Sequence, residues 1–177
     1  MKLILFSGGV ESTALLDNAT KEDIILCISS IFPKSLTTYN KDNVEKICNH
    51  YGLTPTYATI NINYVPSIFT FTHQMTEFIT ICNLMCHKNT DITEIWCGRN
   101  SSEPNNNIKD YINKQMILWN MLQENVEFKH PLDYLSKQEQ YELIPKEIRK
   151  YVSSCIHHSN CGQCNKCKEL IQCGIVY

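Results

Sequence analysis

The sequence predicts an α/β protein built on a mainly parallel sheet. Two observations predict it. Short apolar runs alternate with longer segments of helical periodicity, and that alternation implies right-handed crossovers between parallel strands. A turn with two adjacent glycines also joins the first apolar run to the first helical segment, as at the edge of an open α/β sheet.

Lys2 to Phe6 is a short apolar run that reads as a buried strand. Gly8 and Gly9 permit a tight turn, and Glu11 to Leu16 reads as the first turns of a helix. Asp23 to Ile31 is a second strand, closed by Pro33. Lys41 to Tyr51 carries Val44, Ile47, Cys48 and Tyr51 on one helical face, with Asn40 placed to cap it and Gly52 to end it. Thr54 to Ile62 is a third strand, broken by Pro66. From Ile68 to His87, Phe71, Met75, Phe78, Ile79, Cys82, Met85 and Cys86 recur at three and four, a core stripe. Glu94 to Cys97 is a fourth strand, followed by the polar loop Gly98 to Glu103. Ile108 to Glu124 is an amphipathic helix, and Val126 to Phe128 a short strand before Pro131. Ser136 and Glu139 have the spacing of a capping box at the start of another helix.

At 177 residues, with 43% hydrophobic residues, the chain predicts one domain with a sizeable core. A net charge of -2, from 16 Lys+Arg against 18 Asp+Glu, gives no general argument for nucleic-acid or membrane attraction, so neither a membrane nor a nucleic acid is the expected partner. No window approaches a membrane span and no signal peptide is recognisable, so a soluble, cytoplasmic protein is expected.

The stretch Ser7-Gly8-Gly9-Val10-Glu11-Ser12-Thr13 concentrates the chemistry. A helix start offers free N–H groups and the positive end of a dipole, and Ser7, Ser12 and Thr13 add hydroxyls. Such a turn suits a phosphate or pyrophosphate. It lacks the Gly-Lys-Ser/Thr ending of a Walker loop and does not fit GxGxxG. The string resembles the pyrophosphate loop, SGGxDS, of the PP-loop ATP pyrophosphatases. Glu11 stands where that loop has Asp, so its carboxylate lies one methylene further out. The segment Pro131-Leu132-Asp133-Tyr134-Leu135-Ser136-Lys137 resembles a second motif of the same superfamily. The resemblance implies that Lys137 lies near the phosphates; otherwise Lys137 is a solvated surface lysine.

Ten cysteines are unevenly spread. Cys27, Cys48, Cys82, Cys86, Cys97 and Cys173 mostly fall within apolar patterns and read as small buried hydrophobes. Cys155, Cys161, Cys164 and Cys167 form a cluster with two overlapping CxxC units, the spacing of a closed structural Zn²⁺ site. An iron–sulfur cluster, a redox pair or unligated thiols are the alternatives. His157 or His158 could replace Cys155 as a ligand.

A pyrophosphate loop near one end and a four-cysteine cluster near the other together resemble 7-cyano-7-deazaguanine synthase. The resemblance implies a three-layer parallel sheet of the adenine nucleotide α-hydrolase-like, Rossmann-like fold. It would place a nucleotide-binding domain over 1–150 and a zinc-binding segment of the same domain over 151–177. It implies a ligase that converts 7-carboxy-7-deazaguanine and ammonia to the nitrile through an adenylated carboxylate, for queuosine biosynthesis. ATP, Mg²⁺ and Zn²⁺ would be the cofactors and a homodimer the assembly. Residues Ser7 to Thr13 would hold the nucleotide, with Glu11 and Lys137 catalytic.

The chain departs from that family in its middle. Phe32-Pro33-Lys34-Ser35 stands for Asp-Tyr-Gly-Gln, Thr72-His73-Gln74 for Gly-Arg-Asn, and Arg99-Asn100-Ser101-Ser102-Glu103 for Glu-Thr-Asp. The alternatives are a pyrophosphatase that adenylates another acceptor, such as a tRNA base or a protein carboxylate, and an inactive nucleotide-binding relic.

Overall fold

The computed structural model describes residues 1–31, 40–61, 71–101, 125–153 and 161–175. Five strands form one sheet: β1 (Lys2–Leu5), β2 (Ile24–Ile31), β3 (Pro55–Asn61), β4 (Glu94–Cys97) and β5 (Glu127–Lys129). Their order is β3-β2-β1-β4-β5, and every pairing is parallel. Leu5 is in register with Leu26 of β2 and with Cys97 of β4. The order reverses at β1, so crossovers run both ways from the central strand. The turn that leaves β1 opens at that switch point.

Strand alternation divides the core in two. Ile4, Phe6, Ile25 and Cys27 face one layer, with Val10, Ala14, Val44, Ile47 and Cys48. Leu3, Leu5, Leu26 and Ile28 face the other, with Ile79, Cys82 and Cys86. The layers are α1 (Val10–Ala14) and α2 (Lys41–His50) on one side and α3 (Phe71–Lys88) on the other. Two further helices follow among the described residues, α4 (Lys137–Leu143) and α5 (Asn165–Gln172). Val152, Leu170 and Ile175 join the first layer, so the carboxyl-terminal elements share its core.

Local signals act as their residue types dictate. Asn40 caps α2 by accepting from the Asn43 N–H at 3.2 Å. Ser136 and Glu139 make the reciprocal capping box of α4. The fifth strand lies one residue later than its apolar pattern implied, at Glu127–Lys129. The helix expected over 108–124 falls outside the described residues, as do Phe32 to Ser35, Ser102, Glu103, Cys155, His157 and His158. Among the described residues, no helix is long and apolar enough to cross a membrane. Cys27, Cys48, Cys82 and Cys86 are buried as their patterns implied, whereas Cys97 and Cys173 are only partly covered.

One contact fixes the switch point. A Cβ on Gly98, the residue after β4, would lie 2.7 Å from the Glu11 carbonyl carbon and 2.7 Å from the Ser12 nitrogen. Only a residue without a side chain lets β4 pass the start of α1 so closely. Gly98→Ala is therefore expected to destabilise the fold by about 1–3 kcal/mol, the range for overpacking a tight site. Thermal unfolding checks it, with a melting temperature several degrees below wild type as the expected result.

Candidate functional site

The glycine turn leaves β1 with Gly8 at φ 74, a left-handed conformation that other residues adopt with strain. Gly9 then takes the N-cap position of α1 without a side-chain cap. The turn is tied down from behind, where the Ser153 N–H donates to the Gly8 carbonyl at 2.9 Å. Its two serine hydroxyls bond within the turn. Ser7 Oγ and Ser12 Oγ are 3.1 Å apart, and Ser12 Oγ donates to the Gly9 carbonyl at 3.3 Å. Ser7 is exposed, Ser12 is buried, and Thr13 is buried with no partner for its Oγ1 among the described residues.

Glu11 and Lys137, 126 positions apart, meet beside this turn. Lys137 Nζ lies 2.9 Å from Glu11 Oε1 and 2.8 Å from Glu169 Oε1. Lys137 is 1% exposed, so its ammonium is inside the protein rather than on the solvated surface. Burial alone would push its pKa down, but the facing Glu11 and Glu169 carboxylates outweigh burial and raise it. The lysine is therefore charged at neutral pH, one cation held by two carboxylates. Asn100 Nδ2 donates to the same Glu11 oxygen at 2.9 Å.

The loop after β4 is clamped to α4. Gln140 Nε2 donates to the carbonyls of Arg99 at 2.6 Å and Leu132 at 2.7 Å, and the Ser101 N–H donates to the Leu135 carbonyl at 2.9 Å. Four segments thus converge at the carboxyl edge of the sheet: the glycine turn, the β4 loop, α4 and α5. Sequence reasoning placed the glycine turn at an edge of the sheet and singled out Lys137. It missed Asn100 as a partner of Glu11 and Glu169 as a partner of Lys137. Neither carried a signal in the local sequence, since each partner lies far away in the chain.

Cys161, Cys164 and Cys167 lie together, with their sulfurs all within 4.8 Å of one another. Cys161 Sγ and Cys167 Sγ are 4.0 Å apart. The Cys164 N–H points at Cys161 Sγ, and the Cys167 N–H at Cys164 Sγ, each at 3.4 Å. These three thiols could hold a metal ion, and Cys164 also caps α5.

The Rossmann-like sheet, the glycine turn at its switch point and a cysteine knuckle define an α/β protein of the adenine nucleotide α-hydrolase-like fold. The structure is similar to that of the U34-tRNA thiolase NcsA from Methanococcus maripaludis with its [4Fe-4S] cluster. The match has a TM-score of 0.51 and 17% sequence identity, and covers 98% of this chain and 70% of that one. At that identity the likeness is one of fold. No protein-family model matches the sequence, and no curated protein matches it significantly.

One further buried group borders the β4 loop. His130 follows β5, and its Nδ1 lies 2.9 Å from the Cys97 carbonyl. A carbonyl only accepts, so Nδ1 carries the proton and donates. Its Nε2 is buried without a partner among the described residues. Burial first, with the nearby Arg99 charge, pushes its pKa below the usual range, against the pull of the Cys97 carbonyl and Asp133. The folded protein thus holds His130 neutral while the unfolded chain protonates near pH 6.5. The stability this provides is complete above about pH 6.5 and falls as pH drops below it. Urea unfolding at pH 7.5 and pH 5.5 is expected to show that loss, and His130→Gln to reduce it.

Proposed function

We propose that this protein binds Mg²⁺·ATP at Ser7 to Thr13 and uses it to adenylate an acceptor oxygen. The single observation that carries this is the buried Lys137 ammonium against Glu11 of the glycine turn. A structural role alone does not account well for it, because replacing a buried ion pair by apolar groups is often neutral or stabilising. A charged lysine beside a phosphate-binding turn is useful where negative charge develops on a leaving group.

In the proposed reaction an acceptor oxygen attacks the α-phosphorus of ATP, and pyrophosphate leaves. The N–H groups of the turn and the start of α1 orient the phosphates. Lys137, kept protonated by its carboxylates, offsets charge on the departing pyrophosphate. Glu11 offers its second oxygen toward a divalent cation; Mg²⁺, when bound, would neutralise phosphate charge.

For the acceptor, the fold neighbour named as a U34-tRNA thiolase favours a tRNA base, against the expectation from a chain with no excess of basic residues. 7-Carboxy-7-deazaguanine is the second reading, favoured by the sequence pattern of glycine turn and cysteine cluster. Pyrophosphate release from ATP, measured with tRNA and separately with 7-carboxy-7-deazaguanine plus ammonium, distinguishes them. Turnover with one acceptor is expected, and Lys137→Ala and Glu11→Ala are each expected to lower it by about 10²-fold or more. No heat of mixing with Mg²⁺·ATP and no turnover with either acceptor would overturn the nucleotide reading.

For the cysteine cluster we propose one zinc ion, held by Cys161, Cys164 and Cys167 with Cys155 as the fourth thiolate. Tetrahedral zinc, with Zn–S of about 2.3 Å, sets its sulfurs about 3.8 Å apart. The 4.0 Å between Cys161 and Cys167 fits that. A cubane cluster binds each thiolate on a separate iron and spreads the sulfurs further. Such a zinc ion would supply structure rather than chemistry. Metal analysis of anaerobically purified protein is expected to give one zinc and no iron. Cys164→Ser is expected to lose the metal and melt at lower temperature. Visible absorbance with iron and labile sulfide would instead show a cluster.

A further inference from the structure

We infer that Glu169 is a positioning residue for Lys137, so that a metal held by the cysteine cluster sets the placement of the lysine at the glycine turn. This rests on the nucleotide reading only for its consequence in turnover; the strut itself is defined by geometry. Lys137 Nζ is shared between Glu11 Oε1 of α1 at 2.9 Å and Glu169 Oε1 of α5 at 2.8 Å.

The position of α5 follows from the knuckle. Cys164 is its N-cap, accepting from the Cys167 N–H, and Cys167 lies in its first turn. Glu169 follows two residues later, and Leu170 beside it is fully buried in the core with Val10 and Ala14 of α1. Thiolates gathered on one ion therefore hold the helix start in register, and the Glu169 carboxylate presents that register to Lys137. Without an ion nothing ties Cys164 and Cys167 to Cys161, and the start of the helix that carries Glu169 is held less firmly.

The strut also separates two demands on Glu11. A carboxylate that turns toward a phosphate-bound cation weakens its bond to Lys137. Glu169 then remains as the counter-ion, and the buried ammonium keeps a partner throughout. A lysine with Glu11 alone would hold that carboxylate back or lose its charge.

The test is acetylation of the metal-loaded protein with limiting acetic anhydride, read site by site by mass spectrometry, with and without a phenanthroline chelator. Cys27, fully buried in β2, reports global unfolding through its reactivity with iodoacetamide. Lys137 labelling is expected to rise about tenfold on chelation and about tenfold in Glu169→Ala that retains its metal, with Cys27 still protected. Chelation of Glu169→Ala is expected to add little, because both changes break one linkage. Glu169→Gln, which keeps an acceptor oxygen, is expected to fall between wild type and Glu169→Ala. In turnover, Glu169→Ala is expected to lower kcat more than it changes KM for ATP.

Unchanged Lys137 labelling on chelation would overturn the linkage. So would labelling that rises only together with Cys27, since the metal would then merely hold the fold. If labelling follows the expected pattern while wild-type protein neither binds nor turns over Mg²⁺·ATP, the strut stands and the nucleotide reading fails.

Discussion

The structure depends on a lysine inside the protein. An ammonium removed from water costs several kcal/mol unless opposite charge and hydrogen bonds compensate it. Lys137 meets that condition with Glu11 on one side and Glu169 on the other. Each carboxylate comes from a different part of the chain, so the three residues act as a constraint on topology. The turn after β1, the helix after the Pro131 turn and the helix after the cysteine knuckle must all arrive together. If either carboxylate is displaced, the buried ammonium keeps only one counter-ion.

Other contacts at the site serve the same convergence. Gly98 lets β4 pass against the backbone of Glu11 and Ser12, which brings Asn100 to the Glu11 carboxylate. Gln140 reaches back from α4 to the Arg99 carbonyl, so the helix that carries Lys137 is bolted to the same loop. The Ser153 N–H closes on the Gly8 carbonyl from the segment that leads to the cysteines. The turn is thus preorganised by neighbours that leave Ser7 open to solvent. Preorganised donors of this kind are what a site needs to act on developing charge without rearranging.

Much of the fold was legible in the sequence because its signals are local. Apolar runs at Lys2–Leu5 and Ile24–Ile31, the helical stripe through Val44, Ile47 and Cys48, and the Ser136–Glu139 box each depend on residues within one turn or one strand. The strand at Glu127–Lys129 was displaced by one residue because its three positions hold too little pattern to fix an end. The helix at Asn165–Gln172 was not read from the sequence, and Glu169 carried no mark there, with only Lys168 beside it as a basic neighbour. Its partner lies 32 positions away.

By itself the sequence determined the order of the five strands and of the helices before the cysteines that the structure describes, the glycine turn, the candidate lysine and the cysteine spacing. These are consequences of backbone preference and side-chain periodicity, which act over a few residues. Only the tertiary structure decided the strand order β3-β2-β1-β4-β5, the burial of Lys137 and its division between two carboxylates. Those depend on which segments the sheet brings to one edge. Whether a charge is solvated or enclosed is set by neighbours distant in the chain, and no local pattern records them.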